Sequence, residues 1–362
     1  MSERNNLFHF ATSELSQDAF LGWLLSFAMK EHEQEDVALA QCARALLKKM
    51  YPGMKADEPV TSVELQKDNI DVLVTVGDCS IIIEDKTFSR QHDDQIERYK
   101  HELGEKRPET KIITVYYKID DQCNLEKVDC NLFRRGILEI LQPFADQTNN
   151  AICRDYVEHL QEMEEEAESY AAPGHADIKK WTGTMHTRFF QHLRAQGIVQ
   201  PEDSVGWGYV SNQTGGFFGL WWHWIAEKQF ASMGFAEDSP TGKYVGELYL
   251  QIENAAKPKE SDENADIIAL KYSVDAGELT PADWEIVQQI RWALYEKMKE
   301  YFEHLGVPYQ KKTFRAGTFM SVGYVTYNMT NYKDRIQAMQ EALDRIVDRY
   351  HYVIGKGFEE NP

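Results

Sequence analysis

Cysteine, positive charge and long apolar runs are all scarce in this 362-residue chain. The five cysteines, Cys42, Cys79, Cys123, Cys130 and Cys153, are scattered, odd in number and without a Cys-x-x-Cys pair. That pattern argues against both a disulfide framework and a zinc site, and implies reduced thiols. No apolar run is long enough to span a bilayer, and the opening MSERNNLFHFATSELSQ has no basic-then-apolar leader. The expectation is therefore a soluble, cytoplasmic protein with no membrane contact. Lys and Arg number 39 against 59 Asp and Glu, a formal net charge of −20, which runs against the basic surface usual in nucleic-acid-binding proteins. No internal repeat or low-complexity tract appears. The 43% hydrophobic content is ample for packed cores, and the length favours two domains.

The chemistry concentrates between Asp68 and Tyr99. Residues 70–76 (IDVLVTV) and 80–85 (SIIIED) are β-branched runs separated by Gly77-Asp78, the pattern of a β-hairpin. Strand alternation points Glu84 and Lys86 to one side and Asp85 to the other. With the turn at Gly77-Asp78, Asp71 falls opposite Glu84, so two carboxylates meet beside an ammonium at one end of the hairpin. Like charges so placed repel unless something offsets them. A hard divalent cation such as Mg²⁺ or Mn²⁺ would do so, with Asp71, Glu84 and the Asp85 backbone carbonyl as ligands. Lys86 would then orient an attacking water or balance charge on a phosphoryl transition state.

Asp71 followed by Glu84-Asp85-Lys86 at the end of the next apolar strand resembles the core motif of the PD-(D/E)XK nuclease superfamily. Ile70 stands where the name-giving proline would be. Gln95 and Tyr99, one helical turn apart, form a Gln-x-x-x-Tyr element similar to that of the RecB and lambda-exonuclease-like branches. The run SELSQDAFLGWLL resembles the opening of uncharacterised bacterial and phage members. The resemblance implies an α-β-β-β-α-β order over roughly residues 10–120, hydrolysis of phosphodiester bonds, DNA as substrate, and a setting in restriction, phage defence or repair. It also makes Gln95 and Tyr99 site residues. Glu14 becomes a candidate third acid, with an acid favoured by the helix dipole as the alternative. Lys86, Arg90, Arg98, Lys100, Lys106, Arg107 and Lys111 surround the motif, and Arg90, Arg98 and Lys100 are the expected nucleic-acid contacts. The acid run Glu158–Glu168 lies elsewhere in sequence. The rival class is a non-catalytic nucleic-acid-binding or protein-interaction module that retains the fold.

The expected architecture is an α/β N-terminal domain over residues 1–168, a restriction-endonuclease-like mixed sheet flanked by helices. In its first helix Leu15, Ala19, Trp23, Leu24, Phe27 and Ala28 form the apolar stripe, with Ser13 or Ser16 as N-cap. Further helices are expected over 35–50, 131–144 and 151–168, and a buried strand over 111–118 (KIITVYYK). Residues 169–177 (SYAAPGHAD) read as a linker, and 178–362 as an aromatic-rich α+β domain whose role the sequence leaves open among substrate selection, homo-oligomerisation and ligand sensing. In GFFGLWWHWI, alternation places Trp222 and Trp224 on one face and Trp221 on the other, a core strand rather than a base-stacking platform. The final helix is expected over 332–350.

Overall fold

The computed structural model describes residues 5–87, 95–172, 174, 177–201, 204–212, 215–225, 244, 246–253, 265–311, 315–353 and 356–361. The chain divides into two units, Met1–Glu168 and Ser169–Pro362.

The first unit is built on two successive hairpins. β1 (Val60–Lys67) turns into β2 (Ile70–Val76) through Asp68 and Asn69, both with positive φ (54° and 65°), the backbone that short polar side chains tolerate in two-residue hairpin turns. β2 turns into β3 (Cys79–Lys86) through Gly77, at φ 52°. β4 (Lys111–Lys118) and β5 (Cys130–Phe133) extend the sheet in parallel, giving the order β1-β2-β3-β4-β5. The mixed sheet flanked by helices agrees with the expectation.

One face of this sheet packs under α1 (Glu14–Ser26), α2 (Val37–Met50), α4 (Arg134–Ala145) and α5 (Ala151–Glu168). Val72, Val74, Val76, Ile81 and Ile83 point into that core. The other face carries Leu73 and Ile82, covered by Tyr99 and Leu103 of α3 (Gln95–Lys106). Strand alternation thus sorts β2 and β3 between two cores, and residues beyond the last apolar pair inherit the same sorting.

Three expectations for this unit are corrected. The buried stripe of α1 runs through Phe20, Leu21, Leu24, Leu25 and Ala28, whereas Leu15 is 65% exposed, so the inner face is rotated from the expected one. It also carries Gln17 and Asp18 into the core. Residues 130–133 form an edge strand ahead of the helix expected from 131, because Leu132 is buried and β4 offers an open parallel edge. α2 starts at Val37, where Asp36 caps it by accepting from the Leu39 amide.

Among the described residues, the second unit holds a six-stranded antiparallel sheet in the order β10-β11-β9-β8-β7-β6. Its strands are β6 (Gly206–Asn212), β7 (Gly215–Ile225), β8 (Glu247–Glu253), β9 (Asp266–Ser273), β10 (Gln310–Lys311) and β11 (Phe319–Tyr327). With α6 (Gly183–Ala195), α7 (Pro281–His304) and α8 (Tyr332–Arg349), the described residues form an α+β fold. Thr280 and Asp283 form a capping box at the start of α7. A hairpin of β12 (Tyr350–Val353) and β13 (Gly357–Glu360) follows where only a helix end was expected. Within the segment read as linker, Ser169–Ala171 is a 3₁₀ turn whose Tyr170 ring lies 5.7 Å from Trp181. The tryptophan alternation holds for buried Trp222 but breaks after it: His223 has φ 56°, the register shifts, and Trp224 stacks 4.2 Å from Tyr249.

Candidate metal and phosphodiester site

The β2–β3 register pairs Val72 with Ile83, which brings Asp71 and Glu84 to adjoining places at the end of the hairpin. Both follow the parity of Leu73 and Ile82, so they emerge on the α3 side of the sheet, as does Lys86. Lys86 is nearly buried, and its ammonium gathers the acids around it. Its Nζ lies 2.6 Å from Glu84 Oε1, 3.8 Å from Asp71 Oδ2 and 3.7 Å from Glu14 Oε2, and donates to the Asp85 carbonyl at 2.9 Å. Glu14 is the first residue of α1, after the Ser13 cap whose hydroxyl accepts from the Ser16 amide. α1 therefore delivers a carboxylate from a second element to the point where the hairpin supplies two.

The electrostatics follow from burial. Glu84 is 0% exposed, and desolvation, then the Asp71 and Glu14 carboxylates, push its pKa up to about 7 despite Lys86. Burial works against the Lys86 charge, but the hydrogen bond it donates to Glu84 and the surrounding carboxylates outweigh it and hold the ammonium's pKa above its usual value. Among the described residues, Glu84 Oε2 accepts no hydrogen bond. A buried carboxylate oxygen without a donor, among acids converging on one cationic point, fits a hard divalent ion bound by oxygen. Asp71, Glu84 and the Asp85 carbonyl are the residues that could hold it, with Glu14 in reach.

The other side of β3 carries a polar cluster absent from the sequence expectations. The Asp85 side chain points towards α1, where Gln17 Nε2 donates to its Oδ1. Asp18 lies in hydrogen-bonding contact with it. Burial, then Asp71, pushes Asp18 up to about 6, and burial above all drives Asp85 well above the usual carboxylate range. Gln66 bridges the two sides, with its Nε2 donating to Asp18 at 2.9 Å and to Asp71 at 3.4 Å. The second Asp71 oxygen accepts from the Asp85 amide at 3.0 Å. A sequence signal for this cluster existed: stepping the buried stripe Leu21, Leu24, Ala28 back one turn lands on Gln17, with Asp18 beside it.

On α3, Gln95 Nε2 donates to the Tyr99 hydroxyl at 2.7 Å, and the Tyr99 ring packs into the small core with Leu73 and Ile82. The two therefore act as one unit on the sheet face that carries Glu84 and Lys86. Arg98 lies with its guanidinium 5.3 Å from the Tyr99 ring centre, and Lys100 is on the same helix. Arg90 lies outside the described residues. The rest of the basic cluster read from sequence is engaged locally: Lys106 pairs with Asp68 at 2.7 Å, Arg107 with Glu64 at 3.9 Å, and Lys111 sits over the Tyr51 ring.

A family model described as the PD-(D/E)XK nuclease superfamily matches residues 5–182. Comparison with curated proteins and with solved structures returned no match.

Proposed function

Residues 5–182 belong to the PD-(D/E)XK nuclease superfamily, whose members generally hydrolyse phosphodiester bonds, and from that premise we propose that this chain is a divalent-metal-dependent nuclease acting on DNA. One observation carries the reading: a hairpin and the start of α1 bring Asp71, Glu84 and Glu14 within 3.8 Å of the Lys86 ammonium. Asp71 and Glu84 would hold Mg²⁺ or Mn²⁺ together with the Asp85 carbonyl. Such an ion supplies a Lewis acid for the phosphate oxygen and lowers the pKa of bound water. Asp71 reaches the reaction already oriented, since both of its oxygens accept hydrogen bonds from Gln66 and Asp85. Lys86, beside Glu84 and Asp71, acts as a donor that orients water and offsets charge on the phosphoryl group. Gln95 and Tyr99 position the scissile strand from α3, and Arg90, Arg98 and Lys100 contact its backbone.

Cleavage of supercoiled plasmid, linear duplex and single-stranded DNA with Mg²⁺, Mn²⁺ or EDTA tests this. Metal-dependent cutting by the wild type, lost in both Asp71→Ala and Lys86→Ala, is expected. Cutting that survives EDTA or both substitutions overturns it. DNA binding without cutting, unchanged by Lys86→Ala, would favour the interaction-module class instead.

A further inference from the structure

Away from the hairpin, the N-terminal segment meets α5 through a second constellation of donors. His9 ends a 3₁₀ turn, Leu7–His9, and its Nε2 lies 2.6 Å from Glu162 Oε2. His159, one turn before Glu162 on the same face of α5, turns its ring edge-on to His9 with centroids 6.0 Å apart. One ligand atom from each of the three residues can be chosen so that all lie within 4.8 Å of one another. We propose that His9, His159 and Glu162 form a second metal site, selective for Zn²⁺ or a similar transition ion, that fastens the N-terminal segment to α5.

The donor chemistry separates this site from the carboxylate site. Two imidazoles and one carboxylate suit Zn²⁺, Co²⁺ or Ni²⁺, whereas Mg²⁺ prefers oxygen alone. The expectation of no zinc site considered cysteines only. The His159 ring, held between Phe8 and His9, is a donor of the kind such an ion takes as the neutral imidazole. Tetrahedral bonds of about 2.0–2.1 Å set donors roughly 3.3 Å apart. Rotation of the partly exposed His9 and Glu162 side chains closes the remaining distance. The direct His9–Glu162 contact is what the ion would replace.

The framework behind the three residues is already fixed. Phe8, adjacent to His9, is buried, stacks 6.3 Å from the His159 ring and packs edge-on to Tyr156 at 4.9 Å. Asn6 donates to the Asp155 carbonyl at 2.7 Å. The His9 backbone is thus held over α5 without a metal, which leaves little ordering for an ion to impose. A cavity of about 50 Å³ beside His159 is also lined by Phe8, Ser13, Gln17 and Thr87, so the outer site borders residues next to β3.

Zinc titrated calorimetrically into metal-stripped, full-length protein in excess Mg²⁺ tests the proposal. Wild type and Asp71→Ala are expected to bind one equivalent each, and His9→Ala and His159→Ala to bind it at least about tenfold more weakly, as loss of a ligand outweighs loss of an outer-sphere partner. His9 is on the surface, so its substitution leaves the core untouched, and an unchanged zinc-free melting curve confirms that. In the same melts zinc should raise the midpoint of wild type but not of His9→Ala. Absence of zinc binding to wild type, equal binding by both histidine variants, or loss of the equivalent in Asp71→Ala alone would each overturn it.

Discussion

Replacing Glu84 with Gln should destroy the nuclease and stabilise the metal-free protein, with the gain confined to neutral and alkaline pH. Glu84 is wholly buried and its pKa moves from 4.5 to about 7 on folding. A carboxyl with a raised folded pKa binds its proton more tightly in the native state. Stability is therefore full at acid pH and falls as pH rises through the window from 4.5 to about 7. Above that window the ionised form costs roughly 3 kcal/mol, since each pH unit of displacement is worth about 1.4 kcal/mol. Gln has a similar shape and no such charge. In EDTA, Glu84→Gln should exceed wild type by less than about 1 kcal/mol at pH 5 and by about 3 kcal/mol at pH 8, on the order of 6–12 °C in the melting midpoint of the first unit. Asp18 and Asp85 titrate in both proteins and drop out of the difference. Mg²⁺ at pH 8 should close the gap by stabilising wild type alone, while cleavage by the variant falls by about 100-fold or more. Urea unfolding at the two pH values decides the matter. A gap that is the same at pH 5 and pH 8, or that shrinks at pH 8, refutes the account of a buried, proton-poised carboxylate.

Mg²⁺ affinity, read by calorimetry, should tighten about tenfold between pH 6 and pH 8 and then level off, because binding must displace the proton that Glu84 carries below about 7; a flat profile would count against Glu84 as a ligand. Asp85→Asn should keep plasmid cleavage within about tenfold of wild type, because the side chain faces α1 while the backbone amide and carbonyl serve the site. Complete loss of cutting would put the chemistry on the wrong face of β3. Arg134→Met should cost about 3–5 kcal/mol in chemical denaturation, since the buried guanidinium joins Asp121, Glu164 and the Ile119 carbonyl. Cleavage per folded molecule should be unchanged, and a variant as stable as wild type would show that the network contributes nothing net.

The hairpin was legible because its information is local. β-branched runs, a Gly-Asp turn and a two-residue period set the register, so Asp71, Glu84 and Lys86 could be placed on one face from sequence alone, and the Val72–Ile83 pairing agrees. The Gln95–Tyr99 hydrogen bond likewise follows from one turn of helix. The Gln17–Asp18–Asp85 cluster was only half legible: the helical period lines Gln17 up with Leu21, Leu24 and Ala28, but which face of α1 meets the sheet is a tertiary choice. The expected stripe shares Leu24, Phe27 and Ala28 with the buried face and departs from it at Leu15 and Ala19, which are exposed. β5 escaped for a related reason: four residues gain strand structure only from the parallel edge of β4.

The charge balance also reads differently once the side chains are placed. The Lys and Arg residues around the motif are what the sequence sets against the net charge of −20, yet Lys106, Arg107 and Lys111 are engaged with Asp68, Glu64 and Tyr51. The metal ion itself would then be a principal attraction for the phosphate, since each carboxylate it neutralises removes repulsion as well as adding positive charge. Backbone contacts reduced to Arg90, Arg98 and Lys100 would give a salt dependence of about −3 in log affinity against log salt, near −0.9 for each phosphate neutralised. Removing Arg98 or Lys100 should each make that slope shallower by about one. A slope several times steeper, measured with Ca²⁺ in place of Mg²⁺ to hold DNA uncut, would mean that cations other than these three carry the strand.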